Sequence, residues 1–335
     1  MVKLSIIIPI YKAERYVKQC IDSVLKEAPA ESEIILVDDG SPDRCPSICD
    51  DYRIRDDRIK VIHKDNTGLS DSRNIGLDTA VGKYIFFIDS DDYIDCGYFD
   101  KLFAKKADLV IGSFVAFYED GSEFMLNLPS KSYDSLSKYL EDFHYFFPVT
   151  FNTAWGKLYR RDFIERHHIR FPKDIFMVED LLFNLEYYSL CTSFVYQKEA
   201  TLRYRQTAGT LSRKINRNVF KWYEKSYTQL IELLTQNGHF CGENKELLFR
   251  NAYGNIVECL RSTARISNEQ LDILIKQVCN SNLAIEAAKY NPSKKTFFIS
   301  KAIHKQSSTT LKIAVNSYVL VLWIKAFWRK IWLKH

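Results

Sequence analysis

The first ninety residues alternate between continuous apolar runs and amphipathic stretches. Leu4-Ser-Ile-Ile-Ile-Pro-Ile10 is an almost unbroken apolar, β-branched run, the pattern of a strand covered on both faces in a parallel sheet. Tyr16, Val17, Cys20, Ile21, Val24 and Leu25 then recur at helical spacing. Residues 33–38 predict a second strand, 45–55 a helix, 59–63 a third strand, 69–80 a helix and 84–89 a fourth strand. This alternation predicts right-handed βαβ units: an α/β fold with an open, mostly parallel central sheet and helices on both faces. In such a sheet the ligand sits beyond the carboxyl ends of the strands. After the apolar run 109–118 the rhythm changes to hairpins and short helices, and helices are expected near 218–236, 243–265 and 268–281. Asn291-Pro-Ser-Lys-Lys reads as a linker. The expected organisation is an α/β domain over 1–215, a helical region over 216–290 and a tail over 291–335.

Composition sets the class without changing this picture. At 335 residues, with 46% hydrophobic and 27% charged residues, the chain can bury a large core and is not a disordered sequence. Net charge is +5, unevenly spread: ten basic residues and no acid follow Glu286, which leaves residues 1–288 at about −5. Eight cysteines without a C-x-x-C pair read as reduced thiols rather than structural zinc ligands, which fits a cytoplasmic protein. The apolar start is read as a buried strand and not a signal peptide, because Pro9 interrupts it and Lys12, Glu14 and Arg15 follow at once.

Polar residues gather where the first, second and fourth strands end. Asp89-Ser90-Asp91-Asp92 puts three carboxylates into four residues, which repel unless solvent or a cation separates them. Hard oxygen ligands suit Mg²⁺ or Mn²⁺, although a solvated acidic turn has the same composition. Asp38-Asp39-Gly40-Ser41 fits either an Asx turn or an acceptor for a nucleobase N–H. Asn66 and Gly68 lie in a turn before a helix N-terminus, a place that favours anions. Helical spacing turns Arg73 toward the sheet, where Asp39, Asp89 or a pyrophosphate would satisfy it. Glu179-Asp180 opens an amphipathic helix and serves either its dipole or a general base. The tail mixes Lys325, Arg329, Lys330 and Lys334 with Trp323, Phe327, Trp328, Ile331 and Trp332, the composition of an interfacial helix on anionic lipid; packing on the body is the other use. An acidic body argues against nucleic acid.

Taken together, the fragments at 5–11, 37–41, 66–76, 87–92, 155–160 and 179–180 resemble the inverting family 2 glycosyltransferases of GT-A fold, of the bacterial type that builds capsule, exopolysaccharide or cell-wall glycans. The resemblance implies a nucleobase pocket lined by Pro9, Tyr11, Glu14 and Asp39, with Arg73 near the phosphates of a nucleotide-sugar donor such as a UDP-sugar. It implies a D-x-D motif at Asp89-Ser90-Asp91, with Asp89 toward the ribose and Asp91 the principal ligand of Mn²⁺ or Mg²⁺. Asp180 would be the catalytic base beside Glu179, Trp155 and Lys157 would shape the acceptor floor, and Arg205 would close over the diphosphate. A lipid-linked or oligosaccharide acceptor would place the protein at the inner face of the plasma membrane, held through residues 311–335. Two rival readings are a membrane-docked glycan-binding scaffold of the same fold and a metal-dependent nucleotidyltransferase. The latter would need a Gly-rich loop, and residues 9–20 contain no glycine.

Overall fold

The computed structural model describes residues 2–125, 128–206, 218–290 and 293–332, with side chains up to residue 325. The chain divides into two compact units, 1–210 and 211–335.

In the first unit β1 (Leu4–Ile10), α1 (Val17–Glu27), β2 (Ser32–Asp38), α2 (Cys45–Arg55), β3 (Ile59–His63), α3 (Leu69–Thr79) and β4 (Tyr84–Phe87) alternate as the apolar rhythm predicts. There follow β5 (Tyr93–Ile94), α4 (Tyr98–Phe103), β6 (Leu109–Tyr118), β7 (Glu123–Met125), β8 (Lys131–Tyr133), α5 (Leu136–Glu141), α6 (Phe143–Phe146), β9 (Lys157–Arg160), α7 (Arg161–Arg166), α8 (Glu179–Tyr188) and β10 (Phe194–Gln206). Strands pair in the order β3-β2-β1-β4-β9-β6-β10-β5, with β7 on β6 and β8 on β10. The β3-β2-β1-β4 half is parallel, whereas β9 runs antiparallel between β4 and β6.

Every residue of β1 and β2 is buried, which is why both read as unbroken apolar runs. Two of the polar exceptions, near the strand starts, pair with each other: Ser5 donates to buried Glu33 at 2.5 Å, and Lys60 donates to the other oxygen of Glu33 at 2.7 Å. α3 lies close on β1, because a Cβ on Gly76 would stand 2.4 Å from Ile7 Cγ2. That contact fixes the helix carrying Arg73 against the sheet. The fourth strand is shorter than its apolar pattern suggests: it stops at Phe87, and 88–92 turn away, closed by the amide of Asp92 donating to Asp89 O at 3.1 Å.

The second unit is helical: α9 (Val219–Gln236), α10 (Gly242–Ala264), α11 (Asn268–Cys279), α12 (Asn282–Ala287), α13 (Phe297–His304) and α14 (Ser308–Trp332). The expected linker falls partly outside the described residues, at 291–292; Lys294–Thr296 form a helical turn. The start of α14 packs on α10, α11 and α13 by burying Leu311, Ala314 and Val315, and Lys312 pairs with Asp272. Farther along, Leu320, Val321, Trp323 and Ile324 are exposed. No helix among the described residues is long and apolar enough to cross a membrane.

Candidate active site

The carboxyl ends of β1, β2 and β4 place the 9–14, 38–41 and 88–92 segments on one rim. Asp39 lies just beyond β2, its amide donating to Ile10 O at 2.9 Å. Its carboxylate is buried and already serves the protein: it accepts from the amides of Thr67 (3.0 Å) and Gly68 (2.9 Å) and pairs with Lys64. Asn66 donates to Asp39 O at 2.9 Å. Gly40, at φ +65°, has no room for a side chain, since a Cβ would stand 2.9 Å from Asn66 N. The 38–41 and 64–68 turns are therefore one interlocked wall, a structural duty for Asp39 in addition to any ligand contact. On the facing segment Pro9 is buried in β1, Tyr11 is half-buried, and Glu14 accepts from the Arg44 amide at 3.1 Å.

Arg73 is the centre of the arrangement. It is 1% exposed, on α3 facing the sheet, and it links two carboxylates from distant parts of the chain: Nη2 donates to Asp89 at 2.9 Å and Nη1 to Asp180 at 2.5 Å. Asp39, one of its two candidate protein partners, is not bonded to it. Burial works against the guanidinium charge, but Asp180, Asp89 and Glu179 outweigh it and keep Arg73 firmly protonated. Its Nε is a buried donor without a partner.

Asp180 sits in the first turn of α8 and is held at both oxygens, by Arg73 and by the Ala154 amide at 2.8 Å. Burial raises its pKa even against the opposing pull of Arg73. A carboxylate has about four lone-pair directions, so two contacts leave capacity for a further proton. Glu179, beside it, has one buried oxygen without a partner; burial and the Asp180 charge push its pKa to about 7.

The acidic turn carries uncompensated charge. Asp91 is raised to about 6 by burial and by Asp89, and Asp92 well above its ordinary value by burial, Asp91 and Asp89. Asp92 accepts from the Arg205 amide at 2.8 Å through one oxygen, and the other is buried and unpaired. Ser90, between Asp89 and Asp91 in sequence, is buried. Among the described residues no three acidic, His or Cys side chains converge on a point that would enclose an ion. Two carboxylates with spare oxygens beside an open rim nevertheless fit the habit of Mg²⁺-like ions, which take one or two protein carboxylates and complete their shell from phosphate and water. Arg205, at the end of β10, braces this turn: Nε donates to Asp91 O at 2.9 Å, Nη2 to Gln19 at 2.7 Å, and its guanidinium lies over Tyr16 and Phe117.

Trp155 is buried against Phe114 and Tyr204, ring centroids 5.6 and 4.9 Å away, so its indole is taken up by packing. Lys157 is buried too, donating to Thr153 O at 2.5 Å; burial, with Arg73 adding to it, lowers its pKa to about 7. It clamps the 153–155 loop whose Ala154 amide holds Asp180. Sequence reasoning missed Lys64 and the Ala154 amide. A lysine in a polar turn is unremarkable by composition, and a backbone donor has no side-chain signature at all.

The family model for glycosyl transferase family 2 matches residues 5–167. The uncharacterized glycosyltransferase EpsJ of Bacillus subtilis is 32% identical over 289 residues, 83% of this chain and 78% of that one. The chain belongs to glycosyl transferase family 2. This glycosyltransferase is also 31% identical to GlyA of Streptococcus pneumoniae over 245 residues, 70% of its own length and 34% of the relative's. Its fold matches the crystal structure of S. aureus TarS in complex with UDP-GlcNAc, with a TM-score of 0.67 at 17% identity over 94% of this chain and 91% of the other. The glycosyltransferase thus has a GT-A-like fold: a mostly parallel central sheet followed by a helical C-terminal region.

Proposed function

We propose that this glycosyltransferase moves a sugar, a hexose or N-acetylhexosamine, from a UDP-linked donor to a hydroxyl of a lipid-linked or oligosaccharide acceptor, with inversion at the anomeric carbon and Asp180 as the base. The observation that carries the reading is the buried Arg73, which ties Asp89, after β4, to Asp180 in the first turn of α8. The two acids that the chemistry needs, one by the leaving phosphate and one by the incoming hydroxyl, belong to one charge network. TarS, a relative in fold, was crystallised with UDP-GlcNAc, which supports the choice of donor.

Asp180 is built for proton abstraction. Burial makes its carboxylate a stronger base than a solvated one, while Arg73 and the Ala154 amide keep it ionised and aimed. The acceptor oxygen attacks the face of the sugar opposite the departing diphosphate as Asp180 takes its proton, through an oxocarbenium-like state. Asp91 and Asp89 would hold Mn²⁺ or Mg²⁺. When bound, that ion would neutralise charge growing on the diphosphate.

Glu179 is a second candidate base, favoured by its orphaned oxygen and a pKa near 7. Asp180→Asn and Glu179→Gln separate the two. The first is expected to keep UDP binding and lose transfer by about 10²–10⁴-fold, the worth of a general base. Near-normal turnover in Asp180→Asn, with loss in Glu179→Gln, would move the base to Glu179.

For the exposed apolar face of α14, with Trp323 and the basic residues that follow, we propose contact with an anionic membrane surface, which would set the enzyme beside a lipid-linked acceptor at the cytoplasmic face.

A further inference from the structure

The other end of the parallel strands carries a second feature that sugar transfer does not use. Where β1 and β4 begin, a cavity of about 240 Å³ is lined by Lys3, Lys83, Lys105 and Lys106 around the rings of Tyr84 and Phe103. β1 is seven residues long, so the cavity lies about 20 Å from the strand ends that carry Asp39 and Asp89. None of the four lysines is ion-paired with an acid among the described residues, whereas Lys60 and Arg160, at the same end of the sheet, are paired with Glu33 and Asp108. Asp108, two residues after Lys106, is fully committed to Arg160, Thr192 and Ser193.

All four lysines are exposed, and two of them lie over aromatic rings. Lys3 Nζ stands 4.0 Å from the centre of the Phe103 ring and Lys83 Nζ 5.5 Å from that of Tyr84, and the two rings meet edge to face at 5.6 Å. Cation–π contact holds two ammonium groups over an apolar floor that continues into buried Val110 and Leu158. Four like charges at one mouth repel one another, and an anion with several acceptor oxygens would reverse that repulsion into attraction. The volume is enough for a phosphate group and a short organic arm.

We infer that this cavity is an anion-binding site, separate from the transfer site, that takes a phosphate-bearing group with an apolar or ring portion resting on Tyr84 and Phe103. The chemistry is shared by soluble phosphate esters and by the headgroups of anionic phospholipids, and the test separates them. Full-length protein is acylated with an amine-reactive ester and the rate at each lysine is read by peptide mass spectrometry. Runs are made alone, with pyrophosphate, with phosphatidylglycerol vesicles and with phosphatidylcholine vesicles. Exposed Lys18 on α1 is the internal control. The site predicts protection of Lys3, Lys83, Lys105 and Lys106 by about tenfold relative to Lys18, the worth of one charged contact. Protection by pyrophosphate identifies a soluble phosphate ester. Protection by phosphatidylglycerol alone identifies a headgroup. In Lys83→Gln/Lys105→Gln the concentration that half-protects Lys106 should rise about tenfold. No protection from either probe, protection equal at Lys18, or an unchanged half-protecting concentration overturns the inference.

Discussion

Arg73 and Asp180 are 107 positions apart in sequence and bonded at 2.5 Å, with the same guanidinium holding Asp89 at 2.9 Å. One buried cation therefore sets the separation of the turn after β4 and the acid at the start of α8. Gly76, one turn along α3, lets the helix approach Ile7 closely enough for Arg73 to reach both.

Removing that cation should cost stability as well as activity. Arg73→Met leaves two carboxylates without their partner, and breaking a buried pair in this way costs about 3–5 kcal/mol. Arg73→Lys keeps the charge but cannot reach both carboxylates with separate nitrogens. It is expected to melt closer to the parent while remaining defective in transfer. Urea unfolding together with a UDP-release assay checks both; full activity in the lysine variant would show that the bridge is dispensable.

Glu179 makes stability depend on pH in a stated direction. Burial, with Asp180 adding to it, lifts its pKa to about 7 in the fold, above the ordinary carboxylate value. Such a group favours the fold while it is protonated in both states, and its contribution disappears as pH rises through the folded value. Unfolding free energy is expected to decline from about pH 4 to pH 7 on this account. Glu179→Gln should flatten that slope, as measured by denaturant titration across the range. An unchanged slope would mean that Glu179 is ionised in the fold throughout.

Charge at the acidic turn predicts a response to metal. UDP should bind more tightly with Mn²⁺ present, and Asp91→Ala should abolish that gain, read by calorimetry. Asp92→Asn, which keeps the acceptor for the Arg205 amide and removes a buried charge, should raise the melting temperature at neutral pH. Equal UDP affinity with and without metal would take Asp91 and Asp89 out of the ligand role.

The last helix should be divisible. Truncation after Asn316 leaves Leu311, Ala314 and Val315 in place, so it is expected to preserve the melting temperature while releasing the protein from phosphatidylglycerol vesicles. Cutting before Leu311 should destabilise the second unit as well, by about 2–5 kcal/mol for the leucine alone. Vesicle co-sedimentation and thermal melts of the two truncations make the comparison. Retained vesicle binding after the shorter cut would place any membrane contact elsewhere.

The alternating core strands and helices were legible from the sequence because burial on both faces leaves an unbroken apolar run, and an amphipathic helix leaves a periodic one. That information is local. The pattern also brought Asp39 and Asp89 to the same rim, since strand ends in a parallel sheet share a side. Fold alone decided which partner each charge takes. Arg73 had Asp39, Asp89 or a pyrophosphate open to it, and it bonds Asp89 together with Asp180, whose helix begins 106 residues after Arg73. Asp39 meets backbone amides at 67 and 68, and Asp180 meets one at 154. Spacing along a chain records which face a side chain presents; it does not record which distant loop arrives there, and electrostatics over a few ångströms depends on that arrival.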